Sequence, residues 1–267
     1  MKITRFVTPD NKTLYGEDEG GGQARVLNGD PWSGFKPTAD RVAISKRLAP
    51  VEPVNIFCIG LNYGAHAEET GASLPKNPVI FMKPTTTLNH PGNEILLPAC
   101  CQHGPEVDYE AELAVVIGKA ARNVSEEGAL EYVLGYTCAN DVSARKWQKH
   151  GGGGQWVKGK SFDSFCPLGP VLVTADEITD PQALKVESIL NGEVMQDGHT
   201  SDMIFPVARL IHLLSQDTTL LPGTVILTGT PAGVGFARKP QVFLADGDRI
   251  EIRIGGIGEL ANTVVQA

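Results

Sequence analysis

A β-rich α+β fold is what the sequence predicts, on three observations. Thirty glycines and eighteen prolines punctuate the 267 residues, an excess that favours a turn-rich, strand-dominated chain over a helical bundle. Short apolar or alternating stretches recur between these breakers and read as strands. Few segments carry the spacing of an amphipathic helix. With 42% hydrophobic and 20% charged residues, the composition is that of a packed globular protein. The length suits one large domain, or a large one with a small appendage.

Residues 1–53 read as a small β-rich N-terminal module. Ile3 to Thr8 and Lys12 to Tyr15 are strand-like, and Pro9-Asp10-Asn11 between them is a turn composition. Gly20-Gly21-Gly22, the partly apolar Ala24 to Leu27 and the turn-like Asn28-Gly29 follow, and Leu48 to Pro53 reads as a connector. The main body spans 54–267 and begins with a buried strand, Val54 to Ile59, ending at Gly60. Glu126 to Leu134 can form a helix, with Ser125 as N-cap and Gly135 just past its end. Met203 to Gln216 is a clearer helix, with Ile204, Val207, Leu210, Ile211 and Leu214 on one stripe and Ser201 and Asp202 at its start. Val171 to Thr174, Lys185 to Asn191, Thr224 to Thr228, Arg249 to Ile254 and Glu259 to Val265 read as strands. Gly255 to Gly258 joins the last two as a hairpin connection. Gly151 to Gly154 is the one low-complexity run and suits a mobile loop beside an active site better than a phosphate cradle, because no Gly-Lys-Ser/Thr follows in P-loop spacing.

The formal net charge of −8, from 31 acidic and 23 basic residues, argues against nucleic acid as a partner, since no basic stripe is available to neutralise phosphates. The opening Met1-Lys2-Ile3-Thr4-Arg5 soon turns polar, and no apolar run approaches the roughly 20 residues that span a bilayer. A soluble protein without a membrane partner is expected. The five cysteines, Cys58, Cys100, Cys101, Cys138 and Cys166, are an odd set with no Cys-x-x-Cys, which suggests free thiols in a reducing cytoplasm.

The most informative stretch is Asp108-Tyr109-Glu110-Ala111-Glu112-Leu113-Ala114-Val115-Val116-Ile117. Its continuous apolar half reads as a strand buried on both faces. Side chains alternate along a strand, so Glu110 and Glu112 project from the same face. Two carboxylates held together in a buried place repel each other, and a hard cation such as Mg²⁺, Mn²⁺ or Ca²⁺ relieves that repulsion. Taken alone, Glu-x-Glu also fits a solvated strand end. Asp141 adds a third carboxylate, at the end of a strand-like Gly135 to Asn140. The following Val142 to Gln148 looks like the first turns of a helix that puts Asp141, Arg145 and Gln148 on one face, although a plain helix cap with an Asp–Arg pair fits as well.

Across roughly residues 54–267 the sequence resembles the fumarylacetoacetate hydrolase family. The resemblance is carried by seven separated motifs: Gly60-Leu61-Asn62-Tyr63-Gly64-Ala65-His66-Ala67-Glu68-Glu69, Phe81-Met82-Lys83-Pro84, Glu110-Ala111-Glu112, Asn140-Asp141-Val142-Ser143-Ala144-Arg145, Lys158-Gly159-Lys160-Ser161-Phe162-Asp163, Leu190-Asn191-Gly192-Glu193, and Leu227 to Gly235. Among members it looks closest to the small proteins named for the hydrolase domain they contain. The resemblance implies a mixed β-sandwich roll, normally a homodimer, with a divalent metal (Mg²⁺, Mn²⁺ or Ca²⁺) on Glu110, Glu112 and Asp141 and a small 2-oxo acid as substrate. It also implies that Arg145, Gln148 and Lys160 face the substrate, that Lys160 stabilises an enolate, and that Thr230 with neighbouring backbone such as Gly229 holds the substrate carboxylate. Lys83 falls in a matching motif, and either a substrate contact or a surface lysine suits it.

His66 and Glu69, three apart, can meet on one turn of a short helix, where a histidine oriented by a carboxylate is suited to take a proton from water. Such a helix can act as a lid. The first expectation is therefore metal-dependent hydrolysis of a C–C bond in an acylpyruvate-like 2,4-dioxo acid. The alternative is the same centre without water attack: oxaloacetate decarboxylation or tautomerisation, isomerisation of unsaturated 2-oxo diacids, or a ureidoglycolate lyase. A non-catalytic metal- or metabolite-binding module is the third reading. Arg145, Gln148, Lys160 and Thr230 speak against it, since a structural cation needs none of them.

Overall fold

The computed structural model describes residues 1–102 and 104–267. Its largest element is a twelve-stranded mixed sheet. In spatial order the main path runs Gly34–Ala43, Gln23–Asp30, Thr13–Gly20, Lys2–Val7, Cys166–Thr174, Val133–Asn140, Ala111–Ile117, Thr224–Leu227, Asn55–Gly60 and Val79–Lys83. Lys46–Leu48 pairs onto Lys2–Val7, and Leu88–Asn89 onto Cys166–Thr174. A second sheet of five strands runs Glu193–His199, Lys185–Leu190, Arg249–Ile254, Gly258–Gln266 and Glu94–Leu97. This is the strand-rich, helix-poor, mixed-sheet fold the sequence predicts.

Ala111–Ile117 lies at the centre and is buried throughout, which explains its unbroken apolar run. Leu113, Val115 and Ile117 join a core shared with the second sheet through Val186, Ile250, Ile252 and Leu260. Ala114 and Val116 face the other way, onto Ile3, Ile56, Leu168, Leu172 and Val225. Glu112 has the parity of Ala114 and Val116, so it points to that second face. The N-terminal strands are a continuation of the main sheet, because Lys2–Val7 pairs antiparallel with Cys166–Thr174.

Two helical expectations change. Glu126 to Leu134 gives only a short turn, Ala129–Tyr132, and Gly135 lies inside the strand Val133–Asn140. Ladder pairing to Ala111–Ile117 takes those residues, overriding local helix propensity. The helix expected at Met203 to Gln216 spans Val207–Leu214, α2 here, and buries Val207, Leu210, Ile211 and Leu214. Ser201 and Asp202 belong to a separate turn, Thr200–Asp202, and Pro206 begins the helix. The expected turns after Asp141 also differ. Ser143–Ala144 pairs with Val107–Asp108, and a wide helical turn, Trp147–Gly151, follows.

All five cysteines are free, with Cys58, Cys138 and Cys166 buried. Among the described residues no helix is long and apolar enough to cross a membrane.

Candidate active site

Strand register assembles the carboxylates. In the antiparallel pair Ala111 stands opposite Asn140 and Glu112 opposite Ala139. Glu110 therefore faces Asp141 at the open end of the ladder, where the Asp141 N–H donates to the Glu110 carbonyl at 2.9 Å. Ligand atoms of Glu110, Glu112 and Asp141 all lie within 4.8 Å of one another, and all three side chains are buried.

Three cations surround this cluster. Lys160 Nζ lies 2.7 Å from both Glu110 Oε2 and Asp141 Oδ2. Arg145 Nη1 lies 2.6 Å from Glu110 Oε1. Lys83 Nζ lies 2.7 Å from Asp141 Oδ1 and donates to the carbonyls of Val142, Lys160 and Phe165. Burial alone pushes the Glu110 carboxyl up, but Lys160 and Arg145 outweigh it and hold the group at about 2. Glu112 behaves oppositely: burial, then Asp141 and Glu110, drive its carboxyl well above the usual range. Its Oε2 accepts from the Gly229 N–H at 2.6 Å, and no ion pair to it is found among the described residues.

Arg145 is gripped by a residue that the sequence reading did not single out. Its Nε donates to Asp108 Oδ2 at 2.8 Å, and its Nη2 lies 2.8 Å from the same oxygen. Asp108, fully buried, also accepts from the Gly235 and Phe236 N–H groups at 2.8 and 2.9 Å. Gln148 accepts from Arg145 Nη1 at 3.2 Å. Arg145 and Gln148 thus sit one turn apart as expected, whereas Asp141 follows the strand Val133–Asn140, outside that turn, and meets Lys83 and Lys160 instead.

Lys160 ends the turn Val157–Lys160. A Cβ on Gly159 would stand 2.3 Å from Gln148 N and 2.8 Å from Ala144 O, so only glycine lets this turn press so close and bring the Lys160 ammonium onto the carboxylates.

His66 lies on a six-residue helix, Gly64–Glu69, called α1. His66 Nδ1 and Glu69 Oε1 are 2.7 Å apart, and Glu69 Oε2 accepts from the Gly233 N–H at 2.9 Å. Asn62 ties the start of α1 to the rest of the fold: its amide donates to the carbonyls of Phe205 and Thr228 and accepts from the Phe205 N–H. The segment 228–236 is thus held by three carboxylates, Glu112, Glu69 and Asp108, through backbone N–H groups.

A small cavity of about 60 Å³ joins these parts, lined by His66, Glu110, Glu112, Arg145, Gln148, Lys160 and Thr230 and closed by Ile59, Gly60, Leu61, Phe81 and Trp156. Thr230 Oγ1 donates to the Ala111 carbonyl and accepts from Gln196. Lys83 and Gly229 do not line the cavity. The Lys83 ammonium is spent behind Asp141 and the Gly229 N–H on Glu112, which replaces the expected substrate contact with a supporting one. Gln196, Phe81, Trp156 and Asp108 were missed. Asp108 shares the alternation of Glu110 and Glu112, and that parity was the available signal. Gly151–Gly154 closes the Trp147 turn and leads to Trp156.

The comparisons with known proteins agree with this architecture. Residues 55–265 match the family described as fumarylacetoacetate (FAA) hydrolase C-terminal, and residues 1–51 match the Rv2993c-like N-terminal family. The human mitochondrial oxaloacetate tautomerase FAHD2A is 48% identical over 219 residues, covering 82% of this chain and 69% of its own. The crystal structure of 5-carboxymethyl-2-hydroxymuconate delta-isomerase from Mycobacterium smegmatis superposes with a TM-score of 0.86 at 37% identity over the whole of both chains. Maleylpyruvate hydrolase from Sphingobium sp. SYK-6 does so with a TM-score of 0.80 at 31% identity, again over both whole chains. With a match over most of its length and relatives at this identity, the chain belongs to the fumarylacetoacetate hydrolase family and is an enzyme of it.

Proposed function

We propose that this protein is a divalent-metal-dependent tautomerase or isomerase of small 2-oxo acids, with oxaloacetate-like diacids as the substrate class. The observation that carries the reading is one small cavity lined at once by Glu110 and Glu112, two of the three clustered carboxylates, by Arg145 and Lys160, and by the Glu69-oriented His66. Sequence reasoning ranked C–C hydrolysis first. The tautomerase and isomerase names of the relatives favour the alternative, and we adopt it.

The residues fit a cation. Around the cavity the carboxylates Asp108, Glu110 and Asp141 each meet a buried cation, from Lys83, Arg145 and Lys160, whereas Glu112, also buried, has no ion pair among the described residues. Hard oxygen donors suit Mg²⁺, Mn²⁺ or Ca²⁺. Held by Glu110, Glu112 and Asp141, such an ion supplies Lewis-acid polarisation of a 2-oxo group. The chain's own groups do the rest. Arg145, fixed by Asp108, offers its guanidinium to a substrate carboxylate. His66 takes the proton from the carbon beside the carbonyl at Nε2, because Glu69 engages Nδ1. Lys160 stabilises the negative charge that develops on oxygen. Delivering that proton to the carbonyl oxygen gives the enol, the reverse transfer from enol oxygen to carbon gives the keto form, and no water is consumed.

Hydrolysis is the second reading, because the same dyad can orient a water and two structural neighbours are named hydrolases. The test is to strip divalent metal with chelator, restore Mg²⁺ or Mn²⁺, and assay enol-oxaloacetate, acetylpyruvate, fumarylpyruvate and ureidoglycolate. Metal-dependent loss of enol-oxaloacetate is expected to dominate, and to fall about 10²–10⁴-fold in His66→Ala. Faster cleavage of acetylpyruvate transfers the assignment to hydrolysis, and no metal-dependent turnover on any of the four sinks both readings. The homodimer implied by the family resemblance is part of the proposal, and sedimentation tests it.

A further inference from the structure

One side of the cavity is charged, and the other is an apolar wall. Ile59, Leu61, Phe81 and Trp156 form that wall. Trp156 is only partly buried and lines the cavity, so its indole separates the cavity from solvent. Its seat is bare backbone: a Cβ on Gly60 would stand 2.2 Å from Trp156 Cζ3 and 2.9 Å from Cη2. From the side it is braced by Phe81, at 5.7 Å between ring centroids and an interplanar angle of 64°, an edge-on arrangement that aromatic rings favour. Phe81 in turn lies beneath the reacting end, with Lys160 Nζ 5.0 Å from its centroid. The glycine run has its use here. The place of a Cβ on Gly152 is 2.4 Å from the Gln155 carbonyl, so the chain folds tightly just before Trp156 and delivers the indole over the cavity.

We propose that Trp156, seated on Gly60, is a specificity-determining residue that restricts this enzyme to short 2-oxo acids whose chain ends inside the cavity. The proposal rests on the function proposed above. A substrate with a longer tail has to displace an indole that is supported from behind and from the side. In a pocket of fixed apolar walls, single methylenes change selectivity by about 10–200-fold.

The test uses binding, so it does not depend on which reaction the enzyme runs. Pyruvate, 2-oxobutanoate, 2-oxohexanoate and 2-oxooctanoate are titrated calorimetrically into Mn²⁺-loaded wild type, Trp156→Ala and Trp156→Phe, with thermal unfolding as a check on folding. Wild-type affinity is expected to drop at least about tenfold between 2-oxobutanoate and 2-oxohexanoate. Trp156→Ala is expected to remove most of that drop, and Trp156→Phe part of it. A wild type that binds 2-oxooctanoate as tightly as pyruvate overturns the proposal, as does a folded Trp156→Ala with the wild-type length profile. If Trp156→Ala does not fold, an unchanged profile in Trp156→Phe overturns it equally. Failure of pyruvate to bind the Mn²⁺-loaded wild type overturns the underlying function and the role of Trp156 together. Pyruvate binding with a length profile unaltered in a folded Trp156 variant removes the role of Trp156 alone.

Discussion

The two halves of the large sheet use charge in opposite ways. On the N-terminal strands, Arg41 pairs with Glu19 at 2.7 Å with side-chain exposures of 54% and 32%, and Arg47 pairs with Asp18 at 3.0 Å. At the carboxylate cluster Lys83, from the end of the edge strand Val79–Lys83, meets Asp141, also at 2.7 Å, at 0% and 1% exposure. The distances are alike, and the energetics are not. An exposed pair contributes about 0.2–1 kcal/mol. Dehydrating two charges costs several kcal/mol per ion, which mutual attraction recovers only with excellent geometry. Ion pairs therefore say little about the N-terminal strands. The buried cluster is better explained by chemistry than by stability, and its unpaired carboxylate, Glu112, is the one the proposed cation would neutralise.

The largest expected effect separates those two explanations. Glu112→Gln is expected to lower metal-dependent turnover by at least about 10²-fold and to abolish calorimetric Mn²⁺ binding. In chelator the same variant is expected to unfold at an equal or higher temperature than wild type, because a buried carboxylate repelled by Asp141 and Glu110 has become neutral. Retained Mn²⁺ binding with a lowered unfolding temperature would falsify the assignment of Glu112 to the metal.

Next comes Asp108, whose carboxylate fixes Arg145 and two N–H groups of the 233–236 turn. Asp108→Asn keeps the shape and loses the charge. Its kcat/KM is expected to fall about 10–100-fold, chiefly through KM. Unfolding free energy is expected to fall by roughly 3–5 kcal/mol, as for a broken buried pair. Steady-state kinetics and urea unfolding measure both, and a variant with unchanged KM removes Asp108 from the positioning of Arg145.

The carboxylate cluster was legible in the sequence because strand geometry is simple. Alternation puts Glu110 and Glu112 on one face, and an acid at the end of the neighbouring strand needs only the register to join them. His66 and Glu69 were legible because three-residue spacing on a helix is local. What stayed hidden depends on long-range contacts. Nothing in the spacing tells that Lys83 turns inward to three carbonyls, or that Trp156 rests on Gly60. Nor does local propensity reveal that Val133–Asn140 takes Gly135 from a candidate helix, since the deciding hydrogen bonds lead to residues some twenty positions away. The fold class followed from composition and pattern, while the cavity wall needed the packed chain.

The joint between the two regions supplies a smaller, pH-dependent effect. His90 Nδ1 accepts the Ala49 N–H at 3.1 Å, pinning the connector to the body. Burial, with Lys46 and Arg5 nearby, lowers its pKa below the ordinary histidine value. The unfolded chain then binds the proton more readily than the folded one, so the contribution is complete above about pH 6.5. It is lost as pH falls from there toward the folded value. Wild type is expected to lose more unfolding free energy than His90→Gln between pH 7.5 and 5.5. Equal losses would remove His90 from the joint.

The smallest effect closes the comparison of pairs. A double-mutant cycle on Arg41 and Glu19 is expected to give a small coupling that shrinks in high salt, since both groups are reached by counterions. Activity is expected to stay within the error of the assay. The corresponding single change at the buried pair, Lys83→Met, leaves Asp141 without one of its two cations and is expected to destabilise the metal-free protein by roughly 3–5 kcal/mol. That loss is expected to persist in high salt and to diminish when Mn²⁺ is added, because a cation near Asp141 replaces part of the missing charge. Arg41–Glu19 has no such rescue available. Rescue by metal at one pair and screening by salt at the other is therefore the difference to measure. If salt instead erases the Lys83 effect and Mn²⁺ leaves it unchanged, the cluster is an ordinary ion-pair network and the distinction between the two regions fails.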